Sequence, residues 1–481
     1  MLLSTIEIKQ NRSLKCSDRQ HALVIGASMA GLLAARILSD YFELVTVVER
    51  DQLPTNAEAR KGVPQGRHVH LLMCRGADII WELFPDLSAA LEEDGALLIS
   101  PTEDFRWFHF GNWKLQFPGP LRVHSQSRPL LEYHVRRCVA ARPNVRILDN
   151  CEVLGLIGGA DHRSGITGVC MRRRRDNVQN EEYLHTNLVV DASGRGSQTP
   201  SWLAALDYPP VEETLVKIDV GYATRIYQRP NNAPRDWKAM GIYPWPLEMK
   251  RTGYIFPIER NAWMVTLSGC LRDHPPADEA GFLEFARKLG RPDVYEAIKD
   301  AEPLSPIAIH KFPANRRRHY ERLSHLPDGL VVLGDAACSF NPVYGQGVTV
   351  AALEASTLRA CLDRHLSSHA GNMVGFPHRF QKALASVVEA PWLFATSEDF
   401  RYPATEGKRP FGIRLLQGYT QRVCRLTATN PFVTQSFYEV LNMLKPPTAL
   451  FHPRILLPAL LARQRDSVAA TSSQSPASHL V

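Results

Sequence analysis

The sequence lacks the features that define several large protein classes. Its nine cysteines include no C-x-x-C pair and no metal-ligand spacing, which argues against a zinc or dithiol module. No run of about 18 apolar residues is available for a membrane-spanning helix, and the first residues lack the apolar region of a secretory signal. No internal repeat is present. We therefore expect reduced thiols in a soluble, cytoplasmic protein.

An excess of charge of one sign is also missing. Lysine and arginine number 56 against 49 aspartates and glutamates, so the net charge is only +7 over 481 residues. The basic runs at 172–175 and 316–318 are not interleaved with aromatic residues, and we read them as solvated turns or strand ends. A nucleic-acid partner is therefore not predicted.

Residues 24–51 carry the clearest pattern, because they read as strand, glycine-rich turn, helix and second strand. Gly26, Ser28 and Gly31 occupy the three positions of a G-x-G-x-x-G turn, which aims a helix N-terminus at a pyrophosphate. Ser28 departs from the usual middle glycine but is small enough to fit. Glu49 ends the second strand, where a carboxylate can accept both hydroxyls of an adenosine ribose. The predicted dinucleotide contacts here are Gly26, Ser28, Met29, Ala30, Gly31, Glu49 and Arg50.

A second element lies some three hundred residues further on, where an NAD-binding domain needs nothing. The apolar strand 330–333 runs into Gly334 and Asp335, and an acid at a strand end is placed to accept hydrogen bonds from ribityl hydroxyls. Gly345, Gln346 and Gly347 then open a helix whose first amides are expected to face a flavin ring and stabilise its reduced, negative form. FAD is long enough to need both elements, so FAD is the predicted cofactor.

The third element, Asp191 to Ser197 (DASGRGS), again follows an apolar strand. With these three elements the chain resembles the flavoprotein monooxygenases of the p-hydroxybenzoate hydroxylase fold, a superfamily that includes squalene epoxidase-like enzymes, geranylgeranyl reductases and flavin-dependent halogenases. The resemblance covers about residues 21–365 and implies that Asp191 and Gly194 lie near the cofactor pyrophosphate and that Gly334 and Asp335 bind the ribityl chain. DASG departs from the Asp-Gly usual in the hydroxylases.

Within that superfamily, residues 60–72, 127–132 and 341–347 look most like polyether-type epoxidases and related natural-product tailoring enzymes. That resemblance implies that the loop Arg60, Lys61, Gly62 and Val63 borders the flavin. It also implies that Arg128 contacts the cofactor near its phosphates, a role that a guanidinium at a helix start suits. A surface salt bridge is the alternative for Arg128. Flavin-facing candidates are Val63, Pro342, Gly345 and Gln346, and no catalytic residue is assigned beyond them.

Two further patterns are set aside. His68 and His70 would point from one face of a short strand, but two ligands do not make a metal site, and we predict core or flavin-edge histidines and no metal. Trp245 lies in YPWPLE, which lacks the W-x-W-x-I-P signature of the flavin-dependent halogenases. Halogenation is therefore not the predicted chemistry.

The predicted fold class is α/β. A Rossmann-like FAD-binding domain of glutathione-reductase type occupies 21–200 and 306–365, and a mostly antiparallel β-sheet substrate domain is inserted at 201–305. A C-terminal helical region follows at 366–465, and the ends 1–20 and 466–481 are expected to be loose. Helices are expected at 76–91 and 127–141, strands at 105–123, and a strand meander at 145–173.

The functional hypothesis is a monooxygenase. NAD(P)H reduces FAD, O2 adds to give a C4a-hydroperoxide, and its distal oxygen epoxidises or hydroxylates an apolar alkene, isoprenoid, polyketide or aromatic molecule, as in secondary metabolism. The alternatives are an isoprenoid double-bond reductase of the geranylgeranyl reductase type and a cyclase that holds FAD structurally. No second nucleotide fold is visible, so NAD(P)H would bind transiently or a separate flavin reductase would supply electrons. The apolar segment 450–463 is read as a packed helix, with membrane contact left open there.

Overall fold

A computed structural model describes residues 19–159, 165–174, 180–231, 233–234, 236–243, 249–369 and 372–461. Nearly all of the predicted N-terminal tail, the whole predicted C-terminal tail and Trp245 lie outside these residues.

The strands of the described residues, in chain order, are β1 His21–Ile25, β2 Leu44–Val48, β3 Leu97–Ile99, β4 Phe105–His109, β5 Asn112–Trp113, β6 Val123–Ser125, β7 Val145–Leu148, β8 Cys151–Gly158, β9 Ile166–Arg173, β10 Glu181–His185, β11 Leu188–Asp191, β12 Glu213–Gln228, β13 Ala239–Ile242, β14 Arg251–Ile258, β15 Ala262–Gly269, β16 Ala308–Arg318, β17 Leu330–Val332 and β18 Cys338–Ser339.

The helices are α1 Met29–Leu38, α2 Cys74–Leu83, α3 Leu87–Glu93, α4 Arg128–Ala140, α5 Thr199–Ala205, α6 Glu279–Arg287, α7 Asp293–Ile298, α8 Gly347–Ser368, α9 Phe376–Asp399, α10 Ile413–Leu426, α11 Pro431–Leu441 and α12 Pro453–Leu461. Short 3₁₀ turns span Pro64–Arg67, Tyr320–Arg322, Gly334–Ala336, Pro342–Tyr344 and Pro447–Phe451.

The predicted fold class is confirmed. A parallel five-stranded sheet has the order β17-β11-β1-β2-β7, and its strands are short apolar runs covered by helices, as parallel sheets require. A larger sheet, β18-β16-β12-β15-β14-β13-β4-β5, is antiparallel except where β13 runs parallel to β4. Helices α9 to α12 follow it, and the three-stranded sheet β10-β9-β8 and the pair β3-β6 are small additions.

The large sheet extends beyond the predicted limits 201–305. It takes β4 and β5 from before that segment and β16 and β18 from after it, because strand pairing joins edges that are distant in the chain. The predicted meander at 145–173 is also divided: β7 pairs with β2 in the parallel sheet, whereas β8 and β9 belong to the small antiparallel one.

Two local predictions need correction. The helix expected at 76–91 is two helices, α2 and α3, because Pro85 lies between them and cannot continue the first. The strand expected near His68 and His70 is an extended segment without strand pairing that runs from the Pro64–Arg67 turn to α2. The helix expected at 127–141 is confirmed as α4, whose N-cap Ser127 accepts a hydrogen bond from the backbone N–H of Leu130 at 3.2 Å.

Candidate functional site

The glycine turn lies where β1 meets α1, at the carboxyl edge of the parallel sheet. Gly26 has φ of +101°, and a Cβ there would lie 2.6 Å from the carbonyl oxygen of Ala192. A Cβ on Gly31 would lie 1.8 Å from the carbonyl oxygen of Gly26. Both positions therefore demand glycine, since no side chain fits these approaches. Ser28 is the N-cap of α1, yet its hydroxyl caps no backbone N–H there.

The second predicted element packs directly on this turn. Gly334 has φ of +64°, and a Cβ on it would lie 2.8 Å from the Cβ of Ala30. Beside Ala30, Met29 is buried in the core. Residues separated by three hundred positions thus meet at one edge, because β1, β11 and β17 are adjacent parallel strands whose carboxyl ends align.

A buried ion cluster lies beside the turn, and Arg60 is its centre. The Arg60 guanidinium contacts Glu49 at 3.1 Å, Asp51 at 3.0 Å and Glu132 at 2.9 Å. Burial opposes its charge, but the carboxylates of Glu132 and Glu49 outweigh that cost and raise the pKa of Arg60. The cluster ties the loop 60–63 to both the second strand and α4.

Arg128 joins the same cluster. Its Nη2 donates to Ser28 Oγ at 2.9 Å and to Glu132 Oε2 at 3.0 Å. The alternative of a surface salt bridge is wrong, because Arg128 and Glu132 are both buried. Burial opposes the ionisation of Glu132, but Arg128 and Arg60 together hold its pKa below the ordinary value. Ser28, the departure from the glycine pattern, is therefore a hydrogen-bond partner of Arg128.

Glu49 has fewer free hydrogen-bond acceptor positions than the sequence implied. Its Oε2 accepts the Ala27 N–H at 2.8 Å and contacts Arg60, and its Oε1 accepts the Asp51 N–H at 3.0 Å. A carboxylate offers about four acceptor positions, so about one remains for a ribose hydroxyl. The prediction that Glu49 binds both hydroxyls exceeds what this arrangement offers.

The remaining predicted residues of this side fall into two groups. Gly62 and Val63 lie inside the loop: Gly62 N–H donates to Asp51 at 2.5 Å, and Val63 is buried. Arg50 and Lys61 are exposed and make no hydrogen bond or ion pair with another described residue. Both residues are neighbours in the chain of members of the ion cluster, but neither forms an ion pair within it.

Asp191, at the end of β11, stabilises the loop that follows it. The carboxylate is fully buried and accepts hydrogen bonds from Ser193 N–H at 2.9 Å, Ser197 Oγ at 2.5 Å and Thr199 Oγ1 at 2.6 Å. A carboxylate used in this way orders the loop, and the cofactor contact expected for Asp191 stays a prediction. Gly194, at the top of the same loop, has φ of +83° and open space where a Cβ would be.

Asp335 has no hydrogen bond or ion pair to another described residue, although it is half-buried in the cleft. Burial raises its pKa, against the opposing effect of Arg195 and Arg128. Glu354 of α8 lies behind it, fully buried, with Oε2 accepting the Gly334 N–H at 2.6 Å. Burial raises the pKa of Glu354 to about 8, and Asp335 adds to the shift. Glu354 was missed in the sequence because a single acid inside a helix carries no signal.

The start of α8 is shaped by the predicted Pro342–Gly347 segment. Asn341 accepts the Val343 N–H at 3.2 Å, Gly345 ends the 3₁₀ turn with φ of +67°, and α8 begins at Gly347. A Cβ on Gly347 would meet nothing within 4 Å. Gln346 is buried, and its Oε1 has no partner.

These features fit FAD. Arg60 Nη2 and Arg128 Nε are buried donors without a partner, suited to phosphate oxygens. The Asp335 carboxylate is an acceptor without a partner, suited to ribityl hydroxyls. Gly194 and Gly347 leave space for a ligand to approach the backbone closely.

An apolar cavity of about 280 Å³ opens on the other side of the 342–347 segment. Its walls combine the extended segment 65–73, the inner face of the large sheet and helices α9 to α11. Pro342, Val343, Tyr344 and Gly345 form one wall. The aromatic residues of the lining are Phe105, Trp107, Phe110, Tyr222, Tyr243, Tyr254, Phe256, Tyr344, Phe394, Tyr419, Phe437 and Phe451.

A buried polar network holds that wall from behind. Asp399, at the end of α9, accepts from Tyr344 Oη at 2.7 Å, Asn341 Nδ2 at 3.0 Å and Asn315 Nδ2 at 2.6 Å. Tyr222 Oη donates to Asn341 Oδ1 at 2.6 Å and accepts the Val343 N–H at 3.1 Å. Burial raises the pKa of Asp399 to about 6, although these three donors oppose the shift. No sequence signal links these positions.

The histidines of the lining are neutral. Burial lowers the pKa of His68 to about 3, helped by His310 and His70, and burial with Arg128 lowers that of His70 to about 4. His68 Nδ1 lies 2.7 Å from Thr224 Oγ1, and its ring lies 5.8 Å from that of His310. No group of metal-ligating side chains occurs among the described residues.

The lining also contains polar side chains, Glu398 and His109. Glu398 pairs with Arg401 through two contacts of 2.8 and 2.9 Å. His109 also lines the cavity, stacked 4.5 Å from Trp107, and its Nδ1 has no partner. Burial, with Lys114 and Arg401 nearby, holds the pKa of His109 well below its usual range. Neither residue was predicted, because isolated histidines and acids carry no motif.

Solved structures define the class of fold. The chain is similar to the flavin-dependent brominase Bmp2 (TM-score 0.63, 14% identity, covering 88% of this chain and 94% of that one). It is also similar to CmlS, a flavin-dependent halogenase (0.62, 15%, 86% and 73%), and to pqsL, a probable FAD-dependent monooxygenase from Pseudomonas aeruginosa (0.56, 18%, 79% and 98%). The chain therefore has the fold of flavin-dependent monooxygenases and halogenases.

A comparison of sequences identifies the family. The chain is 33% identical to Protein Rv3254 of Mycobacterium tuberculosis over 394 residues, which cover 80% of this chain and 81% of that protein. It belongs to the same family as Protein Rv3254. No profile of a known protein family matches the sequence.

Proposed function

We propose that the protein is a FAD-dependent oxidoreductase, and specifically a monooxygenase that transfers an oxygen atom from O2 to an apolar small molecule. The observation that carries the proposal is the double role of residues 342–347. The segment leads into α8 beside Asp335 on one side and forms a wall of the apolar cavity on the other. A cofactor bound beside Asp335 would present its ring to a substrate bound in the cavity.

On the cofactor side, the chain supplies fixed charges and close backbone approaches. The unpartnered donors of Arg60 and Arg128 would take the phosphates, and Asp335 the ribityl hydroxyls. The first amides of α8 would stabilise negative charge on the ring through the positive end of the helix dipole. When bound, FAD accepts electrons from NAD(P)H and activates O2.

On the substrate side, the chain excludes water from the cavity and keeps the shape of the cavity fixed. Aromatic walls and neutral histidines keep the cavity apolar, which protects a reactive oxygen donor from hydrolysis. The network of Tyr222, Asn341 and Asp399 fixes the wall that faces the ring. Glu398 and His109 offer hydrogen-bonding positions in the lining. A small alkene, isoprenoid, polyketide or aromatic molecule with one polar end suits this lining, and epoxidation or hydroxylation is the proposed outcome.

The electron donor is proposed to be NAD(P)H, bound transiently or acting through a separate flavin reductase. The described residues contain a single parallel sheet with a glycine turn at its edge, and that turn belongs to the FAD side.

The test begins with the absorption spectrum of the purified protein, where the two visible bands of oxidised flavin are expected. NADH and NADPH are then titrated without oxygen, and turnover is followed under isotope-labelled O2. Labelled oxygen in the product supports the proposal. Turnover under strict anoxia with reductant indicates the double-bond reductase instead, and turnover without reductant indicates the cyclase. A halogenated product that appears only when chloride or bromide is added also contradicts the proposal.

A further inference from the structure

Large apolar side chains surround the mouth of the cavity on the outside of the protein. Leu393 of α9 and Phe451 of the Pro447–Phe451 turn line the cavity and are also 38% and 46% exposed, so they mark its rim. The Phe451 ring stacks on Tyr419 of α10 at 4.7 Å. One helical turn before Tyr419, Leu415 is 82% exposed, and Phe411 just before α10 is fully exposed.

The apolar surface continues onto α12. This helix packs against α10 and the Pro447–Phe451 turn, burying Ile455 and Ala459. Leu457 and Leu461, one turn apart, are 58% and 79% exposed. We call Leu393, Phe411, Leu415, Phe451, Leu457 and Leu461 the apolar rim. Exposed clusters of large apolar side chains mark interaction sites, because contact between apolar surface and water is unfavourable.

Positive charge is concentrated in the same part of the chain. Residues 407–461 contain seven lysines and arginines and one acid, Glu439, a net charge of +6, whereas the whole chain carries +7. Glu439 is itself paired with Lys445 at 2.7 Å. Lys408 and Arg414, next to Phe411 and Leu415, are exposed. Apolar and basic side chains together match the two layers of an anionic lipid surface, acyl chains and headgroups.

We propose that the C-terminal helices dock on an anionic lipid bilayer, with the mouth of the cavity turned toward the lipid. An apolar substrate then passes from the acyl chains into the cavity without crossing water. The contact lies on the surface, because no helix of the described residues is long and apolar enough to cross a membrane. A second copy of the chain is a poorer occupant, since two faces of net positive charge repel each other. The proposal does not depend on the bound cofactor.

The test is flotation of the full chain with vesicles of phosphatidylcholine alone and of phosphatidylcholine mixed with phosphatidylglycerol. Binding to the mixed vesicles, weakened by salt, is expected. The double variant Leu415→Ser, Leu457→Ser and the double variant Lys408→Glu, Arg414→Glu should each weaken binding about tenfold or more. The control is Leu98→Ser with Leu304→Ser, two leucines away from the rim that are 43% and 47% exposed. Thermal unfolding verifies that every variant is folded.

Several outcomes would overturn the proposal. These are no binding to either vesicle, equal binding to both, or an equal loss in the control variant. A concentration-dependent dimer that Leu415→Ser abolishes, with no vesicle binding, would assign the face to a second copy. Because vesicle binding needs neither flavin nor turnover, a failure here leaves the proposed oxygen transfer standing, and the reverse holds as well.

Discussion

The two sides of the 342–347 segment are built in opposite ways. On the side of the glycine turn, three carboxylates and two guanidinium groups lie together within hydrogen-bonding distance, and all but Asp51 are buried. On the side of the cavity, aromatic walls surround histidines whose charge burial has suppressed. A dense group of charges suits a ligand that is always the same and carries phosphates. An apolar wall suits a ligand whose shape varies, and it excludes water. Under the proposed function, this one segment of chain separates the binding of the cofactor from the space in which the substrate reacts.

The largest expected effect comes from removing the glycine turn. In Gly31→Val, the new Cβ overlaps the Gly26 carbonyl oxygen, so the turn must open, and flavin should be lost from the purified protein. Gly26→Val should behave in the same way. Ser28→Gly is the control: it removes one hydrogen bond to Arg128 and should keep flavin. The ratio of flavin to protein absorbance measures all three, and full occupancy in all of them would refute the assignment of the turn.

The second-largest effect is expected for the ion cluster, on the charged side of the 342–347 segment. Arg60→Ala leaves the buried Glu49 and Glu132 and the half-buried Asp51 without their shared partner, which should lower the free energy of unfolding by about 3–5 kcal/mol. Lys61→Ala, at the exposed neighbouring position, should change it by less than about 0.5 kcal/mol. Denaturant unfolding compares the two. Similar values for both variants would mean that the ion cluster is not a source of stability.

A third prediction concerns the wall between the two sides. Tyr222→Phe removes the donor to Asn341 Oδ1 and the acceptor for Val343 N–H, which should cost about 1–3 kcal/mol of unfolding free energy. Flavin occupancy should stay near that of the wild type, because Tyr222 contacts neither the glycine turn nor Asp335. Tyr254→Phe, another tyrosine of the lining, is the control. A loss of flavin in Tyr222→Phe would show that the network serves the cofactor side.

The smallest effect at acidic pH is expected for Glu354→Gln. The pKa of Glu354 is raised to about 8 in the folded protein, so the folded state binds its proton more tightly than the unfolded chain. Stability from this group is full below the ordinary carboxyl pKa and is lost as pH rises toward about 8. The variant should therefore resemble the wild type at acidic pH and become relatively more stable at alkaline pH. Parallel stability curves for the two proteins from acidic to alkaline pH would contradict the buried, protonated carboxyl.

Much of the carboxyl edge of the parallel sheet was predictable because its determinants are local. Gly26 and Gly31 are required by the turn itself, and the apolar strands before Glu49, Asp191 and Gly334 are visible as runs. Even so, the roles of individual acids were not: Asp191 faces into its own loop and Glu49 is largely occupied by backbone N–H groups. Which way a side chain turns at a strand end depends on its neighbours in space.

The large sheet and the cavity were predictable only in outline. The segment 201–305 was predicted to form a mostly antiparallel sheet, but the partners β4 and β16 come from distant parts of the chain. The network around Asp399 joins residues 222, 315, 341 and 399, which share no motif or spacing.

The sequence by itself determined the class of fold and the position of the glycine turn, because tight turns, helix starts and buried parallel strands impose local requirements on residue type. Only the tertiary structure decided how charge is distributed around that turn, which residues form the cavity, and that its mouth opens among exposed apolar and basic side chains. Those properties arise where elements pack against one another. Packing brings together residues whose separation along the chain carries no information about their distance in space.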